Sequence, residues 1–209
     1  MPDRSYDQYC GVARALDLVG ERWALLVVRE LALGPKRFTD LRDGLPGIAT
    51  NVLSTRLRQL ERNGVVTRRR LPLPAPAQVY ELTEHGRELV PIMLTLGRWG
   101  ASMMGPRTPQ QAIRAEWLAL ALKAYFDPES AAGLTATIGL DLDGARFTLR
   151  LDAGQLEVVP GDGELADLSI VGETDLLIQF LGGAPVSVTA EGDHELLERL
   201  PELFPLGRR

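Results

Sequence analysis

The hydrophobic positions change period along the chain. Up to about residue 104 apolar residues recur every three to four positions, whereas from residue 134 they alternate. The stretch 12–18, continued through Trp23, Leu26, Val27 and Glu30, has helical spacing, with Gly20 interrupting it or separating two pieces. Gly34 and Pro35 break the pattern. Phe38 and Leu41 support a short helix over 37–43 that Gly44 ends, and Leu45-Pro46-Gly47 is a tight connection into the next. In that next helix, 51–62, Leu53, Leu57 and Leu60 share one buried stripe while Asn51, Ser54, Thr55, Arg58 and Arg62 point away from it. Gly64 supplies the positive φ that ends a helix, and Val65 and Val66 begin an extended segment. Arg68, Arg69 and Arg70 follow, then Pro72, Pro74 and Pro76, then a second strand over 79–82.

A long helix is predicted over 84–104, with Thr83 as N-cap, a kink at Pro91, and Leu89, Ile92, Met93, Leu96 and Trp99 on one broad apolar face. In a small domain such a face has little to cover it except a second subunit. Residues 105–109 read as a linker. Beyond it, 110–126 predicts a helix stopped by Asp127-Pro128. Leu134, Ala136, Ile138, Leu140 and Leu142 alternate with polar residues, and Asp143-Gly144 is a hairpin turn into Phe147, Leu149 and Leu151. Strands over 156–159 and 168–171, a helix over 174–181, a strand over 186–190 and a helix over 194–203 complete the chain. The fold class is α+β: an N-terminal winged helix-turn-helix domain, 1–106, then a small α+β domain, 107–209, with a mostly antiparallel sheet.

Composition sharpens this division. Of 209 residues 45% are hydrophobic, enough for two cores, and the net charge of -5 averages two unlike halves. Residues 1–107 carry a balance of +5 and residues 108–209 one of -10, so the front half suits a polyanion and the back half does not. One cysteine excludes an internal disulfide, and no apolar run approaches a membrane span or a secretory signal, all of which fits a cytoplasmic protein. His85 and His194 have no neighbouring ligands, so neither a metal nor another cofactor is expected. Asp141-x-Asp143-Gly144 lacks the later ligands of a calcium loop, and Gly161-Asp162-Gly163-Glu164 lacks the Lys-Ser/Thr of a phosphate loop. No catalytic constellation is present, and an enzyme is not expected.

Two short helices joined by a tight turn, the second polar on its outer face, describe a helix-turn-helix, and the arginine-bearing hairpin makes it winged. A solvated amphipathic helix followed by a charge run is the plainer reading of the same residues. On the DNA reading Asn51, Thr55 and Arg58 contact base edges, since Asn pairs with adenine and Arg with guanine. Thr50 and Ser54 flank them at the helix N-terminus. Arg56, nearer the buried edge, makes a phosphate contact or a structural ion pair. Arg68, Arg69 and Arg70 contact phosphate or the minor groove. Lys36 and Thr39 hold a phosphate at the start of the preceding helix, or Thr39 only caps or packs there.

Cys10, Gly20, Trp23, Arg29-Glu30-Leu31, the run Arg37-Phe38-Thr39-Asp40-Leu41, Pro46-Gly47-Ile48, Gly64-Val65-Val66 and Tyr80-Glu81-Leu82-Thr83 together resemble the HxlR-type winged helix-turn-helix regulators over roughly residues 8–104. The resemblance implies a homodimeric transcription factor on operator DNA, paired through the first and last helices of this domain. Its recognition helix falls at 50–62 and its wing at 65–82. It also links Cys10 to redox or electrophile sensing across a dimer; a small hydrophobe packed at the interface is the other reading. Arg14, one helical turn away, lowers the thiol pKa if Cys10 is exposed. The back half resembles the sterol-carrier-protein type-2-like domains in Ala166-Asp167-Leu168-x-Ile170, Leu181-Gly182-Gly183 and Glu191-Gly192-Asp193. That implies a curved sheet and helices around an apolar tunnel for a hydrophobic small-molecule effector. Trp117, Phe126, Phe147 and Phe180 line such a pocket or fill the core. A lipid-binding protein whose winged domain serves dimerisation is the alternative.

Overall fold

The computed structural model describes residues 5–72, 76–162 and 165–206; Pro74, Gly163 and Glu164 lie outside the described residues. The chain divides into two compact units, Met1–Met93 and Leu94–Arg209, within one helix.

The first unit contains α1 (Gly11–Val19), α2 (Ala24–Leu31), α3 (Phe38–Gly44), α4 (Thr50–Arg62), the hairpin β1 (Val66–Arg70) and β2 (Gln78–Leu82), and the start of α5 (Glu84–Ala101). The leucine stripe of α4 is the centre of its core: Leu53, Leu57 and Leu60 are buried with Val27, Val28 and Leu41. The helical spacing over 12–30 resolves into two helices, because Trp23 takes a left-handed φ of 77° before α2. That conformation costs a bulky residue energy, and packing of the half-buried indole against the core offsets it. Gly64 closes α4 with φ 69°. Thr83 caps α5 by accepting the Gly86 N–H at 2.9 Å. Pro91 lies inside α5, which ends at Ala101, three residues before the expected end.

The second unit contains α6 (Ala115–Tyr125), β3 (Ala136–Leu142), β4 (Ala145–Asp152), β5 (Gln155–Pro160), β6 (Leu168–Gly172), α7 (Thr174–Leu181), β7 (Thr189–Gly192) and α8 (His194–Leu203). The sheet order is β5-β4-β3-β6-β7. Neighbours are antiparallel except β3 and β6, which are parallel. Register places Ile138 between Leu149 and Leu168, and Leu140 between Phe147 and Ile170, so one face is continuously apolar. Helix α6 packs on β4 and β5, α8 packs on β6 and β7, and α7 packs against both helices. Two boundaries differ from expectation. Helix α6 starts at Ala115, not 110, because the Thr108 and Gln111 amides are taken up in a turn, Gln111 N–H donating to the Thr108 carbonyl at 3.0 Å. Strand β7 starts at Thr189, not 186, because Val186 N–H donates to the Ala184 carbonyl at 2.8 Å and only Thr189 onward pairs with β6. The Asp143-Gly144 turn also starts a helix: Asp143 Oδ2 accepts from Thr174 Oγ1 at 2.6 Å and from Thr174 N–H at 3.2 Å.

Candidate nucleic-acid interface

Helix α4 buries its leucines and thereby turns Thr50, Asn51, Thr55 and Arg58 to solvent, with Ser54 half-buried beside them. Asn51, Thr55 and Arg58 recur at four- and three-residue steps and share that face. Arg58 lies along it, its Nη2 3.4 Å from Thr55 Oγ1 and its Nε 3.3 Å from the Ser54 carbonyl. The first turn of α4 carries no acidic residue, and its N-cap, Ala49, offers the open N–H groups no side-chain acceptor. Such a terminus favours an anion.

Arg56 is turned from this face into an ion pair. Its Nη1 donates to Gln59 Oε1 at 2.5 Å and its Nη2 to Glu21 Oε2 at 3.4 Å, with 11% of the side chain exposed. Its Nε is buried with no acceptor among the described residues.

Two of the three wing arginines are paired within the fold. Arg68 donates Nε and Nη2 to the two carboxylate oxygens of Glu61 at 2.6 and 2.7 Å, and its guanidinium carbon lies 5.5 Å from the Tyr80 ring centroid. Arg69 Nε reaches Glu81 at 3.0 Å. Arg70 is exposed at the end of β1. The sequence reading missed Glu61 and Glu81; seven and twelve residues from their partners, they leave no local signal. Glu61→Gln is expected to raise affinity for duplex DNA by about 1.4-fold to fivefold at low salt, in line with the roughly 0.2–1 kcal/mol of an exposed pair. The gain fades as salt rises. Fluorescence anisotropy at two salt concentrations reads it, and a loss of affinity would mean that Glu61 positions Arg68 instead of occupying it.

Lys36 and Thr39, expected at a phosphate, each have partners within the fold. Lys36 Nζ donates at 2.8 Å to Glu30, a carboxylate 3% exposed that also accepts from Arg29 Nη2 at 2.8 Å. The start of α3 already holds a carboxylate: Asp40 Oδ2 accepts from Arg37 N–H at 3.0 Å, and Thr39 Oγ1 lies 3.3 Å from Asp40 Oδ1. A phosphate there would meet like charge. Thr39 is exposed, and its neighbour Asp40 supplies the cap.

Cys10 is exposed at the start of α1. The N–H groups of Ala13 and, less, Val12 lower its thiol pKa, although the sulfur closes no cap hydrogen bond; Arg14 is not among the causes. Alkylation of Cys10 is therefore expected to reach half its maximal rate at a lower pH than a free cysteine, whose ordinary value is about 8.5. Arg14→Ala should leave that midpoint in place. A pH profile of iodoacetamide labelling checks both.

The four aromatics of the second unit expected to line a pocket lie on α6, at its end, on β4 and on α7. Phe147 is buried on β4, while Trp117 on α6 and Phe180 on α7 are half-buried. Phe126 at the end of α6 meets Phe204, ring centroids 5.8 Å apart. Phe204, 1% exposed, is the aromatic that the sequence reading passed over. Among the described residues no group of His, Cys, Asp and Glu is placed to hold a metal ion.

Residues 18–108 match the HxlR-like helix-turn-helix family. An uncharacterized HTH-type transcriptional regulator of Synechocystis sp. is 38% identical over 95 residues, 46% of this chain and 70% of that protein. The uncharacterized HTH-type transcriptional regulator YvaP of Bacillus subtilis is 36% identical over 93 residues, 44% of this chain and 86% of that protein. The solved structure of the redox regulator HypR in its oxidized form is 36% identical, with 46% of this chain and 100% of that one covered and a TM-score of 0.43. A winged unit of this order, matched at this identity over most of the length of two HTH-type regulators, places the chain in the HxlR-like helix-turn-helix family.

Proposed function

We propose that this protein is a cytoplasmic transcriptional regulator, without enzymatic activity, that binds operator DNA as a homodimer. The observation that carries the reading is the solvent-facing Asn51, Thr55 and Arg58 on α4, in a chain whose relatives are HTH-type regulators. Those three side chains read base edges, Thr50 and Ser54 flank them, and Arg68, Arg69 and Arg70 engage phosphates once their carboxylate partners yield. Arg56 acts from behind, through its ion pair. Val12 on α1 and Ile92 and Trp99 on α5 are each more than 60% exposed, which supports a second subunit as their cover. No described helix is long and apolar enough to cross a membrane.

Residues 107–209 act on this reading as a sterol-carrier-protein type-2-like domain, a curved sheet under helices, in which Trp117, Phe126, Phe147 and Phe180 line a site for a hydrophobic effector. Cys10 is a second input, its depressed thiol pKa favouring oxidation or adduction. Helices packed against a sheet also suit the alternative, a lipid-binding protein whose winged domain, 1–106, serves dimerisation.

Anisotropy with the duplex upstream of the chain's own gene, at low and physiological salt, decides between the two. A regulator binds specifically, with log affinity falling linearly in log salt and weaker after Arg70→Ala. Salt-independent or absent binding favours the lipid-binding reading.

A further inference from the structure

Behind the recognition helix, α1 and α4 face each other across a cleft of about 330 Å³ that the DNA reading leaves unused. Arg14 and Asp17 on α1, and Glu21 just beyond it, line one side; Arg56, Gln59 and Asn63 line the other. The two walls are tied at one end, where Asn63 Nδ2 donates to the Leu18 carbonyl at 2.9 Å. The volume lies at the lower end of the range of small-molecule sites.

The charges favour an anion. Arg14, Arg56 and Arg62 on the lining outnumber Asp17 and Glu21. Asp17 accepts from Tyr6 N–H at 3.0 Å and from Ser5 Oγ at 3.3 Å, and Glu21 and Arg56 are paired with each other, so Arg14 is an exposed cation that faces a ligand. Arg56 meanwhile keeps a buried Nε–H with no protein acceptor among the described residues. A buried donor left unmatched is costly, so a shift of Arg56 that brings Nε to an acceptor in the cleft is favourable, while the exposed Arg14 presents a guanidinium fork that a carboxylate matches with two parallel hydrogen bonds. Leu18 and Leu60 add an apolar wall against which a ring or short alkyl group can lie.

We propose that this cleft binds a small organic carboxylate, its anionic group on Arg14 and Arg56, and that its occupancy alters DNA affinity through α4. The effector part rests on the DNA-binding reading; the binding part does not. A ligand touching both α1 and α4 changes DNA affinity only if it favours one spacing of the two helices over another.

The test is calorimetric titration of the full-length protein with benzoate, benzamide serving as the neutral isostere. Saturable binding of benzoate is expected, with benzamide and the Arg14→Gln variant each weaker by about tenfold or more, as for loss of a charge-assisted pair. Arg14→Lys, which keeps the charge but not the fork, should fall between. Thermal melting of both variants establishes that they are folded. Absence of saturable heat, equal binding of benzamide, or unchanged binding by a folded Arg14→Gln variant each overturns the site. Added to the anisotropy assay, benzoate should shift the midpoint for duplex DNA in the wild type and not in Arg14→Gln. An unshifted wild-type midpoint at saturating benzoate overturns the effector role. Calorimetry needs no DNA, so failure to bind a duplex and failure to bind benzoate are separable results.

Discussion

Gly86→Ala is expected to destabilise the winged unit by roughly 1–3 kcal/mol, the cost of overpacking a close-packed site, and at the upper end to prevent its folding. Gly86 lies in the first turn of α5 against the start of the hairpin. A Cβ built there meets the Val65 carbonyl oxygen at 2.0 Å and its carbon at 3.0 Å, and Thr83 Oγ1 at 3.3 Å. The obstruction is backbone, so no side-chain rotation relieves it. That carbonyl accepts from Thr83 N–H at 3.1 Å, and Thr83 Oγ1 accepts from Gly86 N–H. Moving Val65 away would therefore loosen the junction of hairpin and helix that places the wing beside α4. Gly97→Ala in the same helix is the control. Its Cβ would meet nothing within 4 Å, so the helix propensity of alanine should leave stability unchanged or raise it, by up to about 1 kcal/mol. Urea denaturation followed by circular dichroism measures both. Equal stability of the two variants would mean that the α5–hairpin junction gives way easily.

The double substitution Asn51→Ala with Arg58→Ala should lower operator affinity by roughly 30-fold to 10⁴-fold, two base contacts at about 1–3 kcal/mol each. Affinity for unrelated duplex should change far less, so most of the loss appears as lost discrimination. Arg70→Ala is the contrasting case. Exposed at the end of β1, it should weaken specific and non-specific binding alike and reduce the slope of log affinity against log salt by about one phosphate. Parallel anisotropy titrations on operator and scrambled duplexes separate the patterns. If the double variant lost both affinities equally, α4 would be a phosphate-binding helix and the bases would be read elsewhere.

The elements were largely legible in the sequence because each rests on a local signal. The leucine spacing of α4, the glycine after it and the alternation of β3 and β4 reflect backbone geometry that short segments obey on their own. Misplaced boundaries fell where a turn competed for backbone groups, at Thr108–Gln111 and at Val186. Trp23 shows another limit: its left-handed φ depends on a core assembled from α2, α3 and α4, which no local window contains.

For the candidate interface, sequence alone determined which side chains α4 turns to solvent, since burying Leu53, Leu57 and Leu60 leaves Asn51, Thr55 and Arg58 outside. Only the tertiary structure decided which cations are held by the fold. It set Lys36 on Glu30, Arg68 on Glu61, Arg69 on Glu81 and Arg56 on Glu21, and it left Arg70 exposed. The helical period is a property of a segment a few residues long. An ion pair forms between groups that meet only after helices pack and strands register, so its partners are fixed by the fold and not by their spacing along the chain.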